Sequence, residues 1–175
     1  MSVLQELSSV VRTRRADMGL TQASLAKLSG LSRATVNQVE NGTIHDLSLT
    51  RASRLLDSLG LQVTVAPQRS HAERVERVER AESRGSSALV KAAQTASVSF
   101  RVSMGPEILE QVLTTKVLPK EFVPHLHTLL EEAPISLLAG IVDELHLKHG
   151  IDRVQIWSRM RELARQFLTG REQWH

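Results

Sequence analysis

Residues 19–42 constrain this chain more than any other stretch, because their order of caps and glycines permits two short helices and little else. Leu4, Leu7, Val11 and Met18 carry the apolar spacing of a first helix. Gly19 ends it. Thr21 can then accept an orphan backbone N–H and start a second helix from Gln22 to Ser29. Gly30 and Leu31 follow, and Ser32 offers a second cap. The next helix, Arg33 to Glu40, stops at Asn41 and Gly42, residue types that enter the left-handed conformation at helix ends.

Two short helices joined by a tight glycine turn form a helix-turn-helix. That geometry asks for particular residue types. Ala26 is small where the second helix crosses the third, and Gly30 lets the chain reverse. Leu25, Leu31, Val36 and Val39 fill the wedge between the helices. A fourth helix is expected from Leu49 to Leu59, with Leu49, Ala52, Leu55, Leu56 and Leu59 facing inward and Gly60 as terminator. Beyond it, Leu61, Val63 and Val65 alternate with Gln62 and Thr64, which reads as a strand. A lone strand leaves its backbone groups unsatisfied, and no second strand is evident. Pairing with the same segment of a second copy is therefore expected, giving a symmetric homodimer through Leu61, Val63 and Val65.

Gly-Leu-Thr-Gln-Ala-Ser-Leu-Ala at 19–26 and Gly-Leu-Ser-Arg-Ala-Thr-Val-Asn-Gln-Val-Glu-Asn-Gly at 30–42 resemble the phage-repressor-type, or Xre, helix-turn-helix family. The likeness spans roughly residues 7–61. With the strand-like segment that follows, it is nearest to the HipB-type antitoxins. The resemblance implies a transcriptional repressor whose third helix lies in the major groove of double-stranded DNA. Carried over residue by residue, it puts Ser32, Arg33, Ala34, Thr35, Asn37 and Gln38 at that surface, with Gln22 on a phosphate. Arg33 suits guanine, Asn37 or Gln38 suits adenine, and the Ala34 methyl suits thymine. A two-fold dimer would read an inverted-repeat operator with half-sites about 34 Å apart.

The remainder is less specific. Residues 67–87 are polar and charged, and Glu73 to Ala81 repeats a Glu-Arg-apolar triplet whose period makes no coherent helical face; a solvated linker is expected. Residues 88–175 read as an all-α domain of four or five helices. Its stripes are Ile108, Leu109, Val112 and Leu113; Phe122, Leu126, Leu129 and Leu130; Leu138, Ile141, Val142 and Leu145; and Ile156, Met160, Leu163 and Phe167. Gly105–Pro106, Pro119, Pro134 and Gly150 mark their boundaries. The expected fold is thus mainly α, with residues 1–66 as a helix-turn-helix and dimerisation domain, a linker, and a helical partner-binding or effector domain.

Charge and composition narrow the classes. The net charge is +3; residues 1–66 carry seven Lys and Arg against five Asp and Glu, whereas residues 87–175 carry ten of each. There is no cysteine, so disulfides and thiolate zinc sites are excluded. No apolar run is long enough to span a bilayer, and a cytoplasmic location without membrane contact is expected. Asp143, His146 and His149 could share a helix face as metal ligands, but a polar rim near a helix C-terminus accounts for them. Neither a cofactor nor catalysis is expected. If the chain is an antitoxin, its helical domain would hold a toxin protein, and Trp174 is the candidate anchor; the alternative is that Trp174 packs on its own domain. A stand-alone regulator whose helical domain senses a small effector is the competing function.

Overall fold

Where caps and glycines punctuate the sequence, helices begin and end at those residues. The computed structural model describes residues 3–63, 87–115, 117–167 and 174. Among these, the regular elements are all helical: α1 (Val3–Asp17), α2 (Gln22–Ser29), α3 (Arg33–Glu40) and α4 (Leu49–Asp57), then α5 (Ala88–Ser97), α6 (Pro106–Thr115), a 3₁₀ turn (Lys120–Phe122), α7 (Val123–Glu132), α8 (Ile135–His149) and α9 (Arg153–Gln166). Thr21 Oγ1 accepts from Ser24 N at 3.0 Å and Ser32 Oγ from Thr35 N at 3.0 Å, so both short helices are capped by the residues that the sequence offers. Gly30 closes α2 at φ 66°, a conformation that costs other L-residues steric strain.

In the first four helices α3 packs on α1 and α2, and α4 packs on α2. Val11, Met18, Leu25, Val36, Val39, Leu55 and Leu59 are buried at their centre. Leu49 departs from the expected inward stripe and is 68% exposed. It stands in the first turn of α4, whose buried residues Leu55 and Leu56 both lie in its second half.

The C-terminal helices are organised around α5, against which α6, α7 and α8 all pack. Its buried face is Leu89, Ala92, Ala93 and Ala96, small enough to let three neighbours approach. Gly140 on α8 extends this close contact, since a Cβ there would stand 3.1 Å from Ala88 Cβ. Glu144 of α8 accepts from Ser87 Oγ at 2.5 Å and from Leu89 N at 3.1 Å, placing a carboxylate on the positive end of α5. The four apolar stripes expected here are buried, with Ile108 and Phe167 partly so. Each fully buried Leu or Ile contributes about 1.5–3 kcal/mol.

The two groups of helices share one continuous apolar cluster. α9 packs on α1 as well as on α6, α7 and α8. Arg14 of α1 donates to both carboxylate oxygens of Asp143 on α8, at 3.3 and 2.8 Å, and Arg153 Nε donates to Asp143 Oδ1 at 2.7 Å. Gly60, after α4, lies on α8; a Cβ there would meet Ala139 Cβ at 2.9 Å and Ile135 O at 3.0 Å.

One expectation is corrected. Residues 61–63 do not form a strand. Leu61 N closes the end of α4 on Leu56 O at 2.9 Å, and its side chain packs on the core instead of offering itself to a second copy. Val65 and the repeat at 73–81 lie outside the described residues. Of the two readings of Trp174, it takes the packed one: it is 1% exposed, donates from Nε1 to Leu130 O at 3.2 Å, and lies 6.3 Å from the Trp157 ring. An indole gains more by burying its ring against a helical core, with its N–H satisfied, than by standing in water.

Candidate nucleic-acid interface

The α2–turn–α3 unit is held by an apolar wedge and by one buried carboxylate. Leu25, Ala26, Val36 and Val39 are buried between the helices, with Leu31 packed at the edge. Glu40 lies on the same face of α3 as Val36 and Val39 and is 6% exposed. Arg15 of α1 donates to it twice, Nε to Oε1 at 2.5 Å and Nη2 to Oε2 at 3.1 Å. Arg15 Nη1 also donates to Leu20 O at 2.7 Å, and Gln22 Nε2 donates to Glu40 Oε2 at 2.9 Å. One carboxylate therefore fixes α1, the turn after it, the start of α2 and the end of α3. Burial pushes the Glu40 carboxyl up, but the hydrogen bonds from Arg15 and Gln22 and the charges of Arg15 and Arg12 outweigh it and hold the group below the usual carboxylate range. Sequence reasoning missed this network. The signal was present: Val36, Val39 and Glu40 stand at i, i+3 and i+4, which places a charge on the buried stripe.

The opposite face of α3 is open. Arg33, Ala34, Asn37 and Gln38 are all exposed. Arg33 and Gln38 make no side-chain hydrogen bond or ion pair among the described residues, so both are free to meet a ligand. Asn37 is more constrained: its Oδ1 accepts from Asn41 Nδ2 at 3.0 Å and from Gln22 Nε2 at 3.4 Å. Ser32 and Thr35 are engaged in capping, with their hydroxyls 2.8 Å apart. Gln22 is half-buried with its amide turned to Glu40 and Asn37 rather than standing free at the helix start.

The histidines weighed as metal ligands are used otherwise. His146 Nδ1 lies 2.8 Å from Ile151 O, His149 Nε2 lies 2.6 Å from Glu110 Oε1, and Asp143 holds the two arginines. Among the described residues no group of three His, Cys, Asp or Glu is placed to hold a metal ion. Among them, too, no helix is long and apolar enough to cross a membrane.

The helix-turn-helix family matches residues 11–65. No curated protein and no solved structure matches the chain. Residues 11–65 are thus similar to the Xre-type helix-turn-helix family, a DNA-binding family of transcription regulators and not an enzyme family. No family is shown for the C-terminal helices.

Proposed function

We propose that the chain is a sequence-specific transcriptional repressor that reads double-stranded DNA with the exposed stripe of α3. The observation that carries this is the division of α3 into two faces. Val36, Val39 and Glu40 lock one face to the fold, while Arg33, Ala34, Asn37 and Gln38 stand exposed at i, i+1, i+4 and i+5 on the other. Such a helix fits the major groove. Arg33 donates to guanine O6 and N7, and Ala34 meets a thymine methyl. Gln38, whose amide is unengaged, is better placed than Asn37 for the paired donor and acceptor of adenine. The Asn37 oxygen is already taken, which leaves its NH₂ for an acceptor in the groove. Ser32, Thr35 and Gln22 flank this stripe and serve the backbone contacts that set its register.

In this reading residues 1–66 bind DNA and dimerise, and residues 88–175 form the helical part that carries the second input. A homodimer on an inverted repeat follows from reading two half-sites with one symmetric protein. Val63, 47% exposed, is available to such a contact; Leu61 serves its own core. The HipB-type likeness extends to an antitoxin role, but Trp174 is turned into its own bundle, so a toxin or effector would engage another face.

Selection of binding sites from a random duplex pool tests the proposal. The wild-type chain should enrich an inverted repeat. Arg33→Ala should lose about 1–3 kcal/mol of discrimination at one base pair of each half-site. A pool that yields no motif, or an Arg33→Ala protein with unaltered preference, would remove the reading.

A further inference from the structure

We infer that Arg161, on α9 of the C-terminal bundle, is a DNA-backbone contact that extends the surface of the helix-turn-helix; the inference rests on the DNA-binding reading above. The Arg161 guanidinium lies against Gly19, so close that a Cβ there would sit 2.6 Å from both Nη1 and Nη2. Gly19 is three residues before Gln22, so the glycine under the cation is within about 11 Å, measured along the backbone, of the residue assigned to a phosphate. Among the described residues that cation is also unneutralised. Arg161 makes no hydrogen bond or ion pair among the described residues, and its Nε is buried with no partner.

A partly buried guanidinium without an anion is an unusual expense for a fold, since buried charges are ordinarily paired. The neighbouring arginines show the contrast. Arg15 is matched by Glu40, and Arg14 and Arg153 share Asp143. The seam between α1, α8 and α9 therefore carries surplus positive charge, from the shared Asp143 and from Arg161. This surplus lies at the turn that leads into the DNA-reading unit, where a phosphate would complete it. The bundle is thereby part of the DNA-binding face, not an appendage beside it.

The test uses the full chain and a short mixed-sequence DNA duplex, with affinity measured by fluorescence anisotropy between ~50 and ~200 mM salt. Each phosphate contact adds about one to the slope of log K against log salt. Arg161→Gln should lower that slope by about one and weaken low-salt binding several-fold, while Arg161→Lys, which keeps the charge, should retain the slope. Lys91→Gln, which removes an exposed cation on α5, should leave it unchanged. Circular dichroism checks that each variant is folded. An Arg161→Gln slope equal to wild type, or an equal fall in Lys91→Gln, overturns the assignment. A wild-type chain with no salt-dependent affinity for the duplex overturns the DNA-binding reading itself, which separates the two failures.

Discussion

Glu40 concentrates the energetics of the reading head in one side chain. Removing Arg15 would leave its carboxylate buried with one remaining donor, and breaking a buried pair in this way costs about 3–5 kcal/mol. Arg15→Ala should therefore lower Tm by well over ten degrees if the helices melt as one small unit. The pH dependence has a definite sign. The folded carboxyl titrates below its ordinary 4.5, so its contribution is fully present above that value and is lost as pH falls through the folded value. Thermal melts of wild type should fall off steeply below about pH 4.5, and those of Glu40→Gln, weaker at neutral pH, should fall off less; parallel pH profiles would count against the ion pair. The bounds of α2 and α3 were legible in the sequence because the caps at Thr21 and Ser32 fix where both helices begin, and Arg33, Ala34 and Gln38 are exposed on α3. The partner of Glu40 was not, because a pairing between residues 15 and 40 depends on how α1 crosses α3.

At the scale of the element, two left-handed glycines separate backbone strain from packing. Gly30 has φ 66° with nothing within 4 Å of an added Cβ, so Gly30→Ala should cost about 1 kcal/mol from conformation alone. Gly60 has φ 69° and would drive its Cβ against Ala139 and the Ile135 carbonyl, so Gly60→Ala should cost at least 1 kcal/mol more. Denaturant melts of the two variants measure the difference; equal losses would mean that α8 yields at that contact. Helices with a Leu, Ile or Val stripe were legible, and so were their boundaries at Pro106, Pro134 and Gly150. The helix at the centre of the bundle was not. The inward face of α5 is mostly alanine, which a hydrophobic period hardly registers, yet small residues are what permit three helices to close on it. Ala92→Leu should accordingly be destabilising by about 1–3 kcal/mol, despite being an apolar replacement in an apolar place. Residues 61–63 are not in the strand expected there for a related reason: alternation over so few residues specifies a face and not an extended backbone.

For the whole molecule, the junction between the first four helices and the bundle decides how much one half feels the other. Asp143 is the hinge of that junction. Burial raises its carboxyl, and the hydrogen bonds and charges of Arg14 and Arg153 more than reverse this, leaving it below the ordinary 3.8. A double-mutant cycle on Arg14→Ala and Asp143→Ala should give a coupling of about 0.5–3 kcal/mol, discounted toward the lower end because Asp143 is one-third exposed. The Arg14–Asp143 contact was not legible from periodicity, since it joins residues 129 positions apart. The burial of Trp174 beside Trp157 has a further consequence, an optical one. The chain has two tryptophans and no tyrosine, and both indoles lie together under the bundle. Its ultraviolet emission therefore comes from one place, far in sequence from the reading helix, with the blue tint of rings kept out of water. That glow should redden when Trp174 leaves the Trp157 ring, so the protein carries its own lamp for the closure of the bundle.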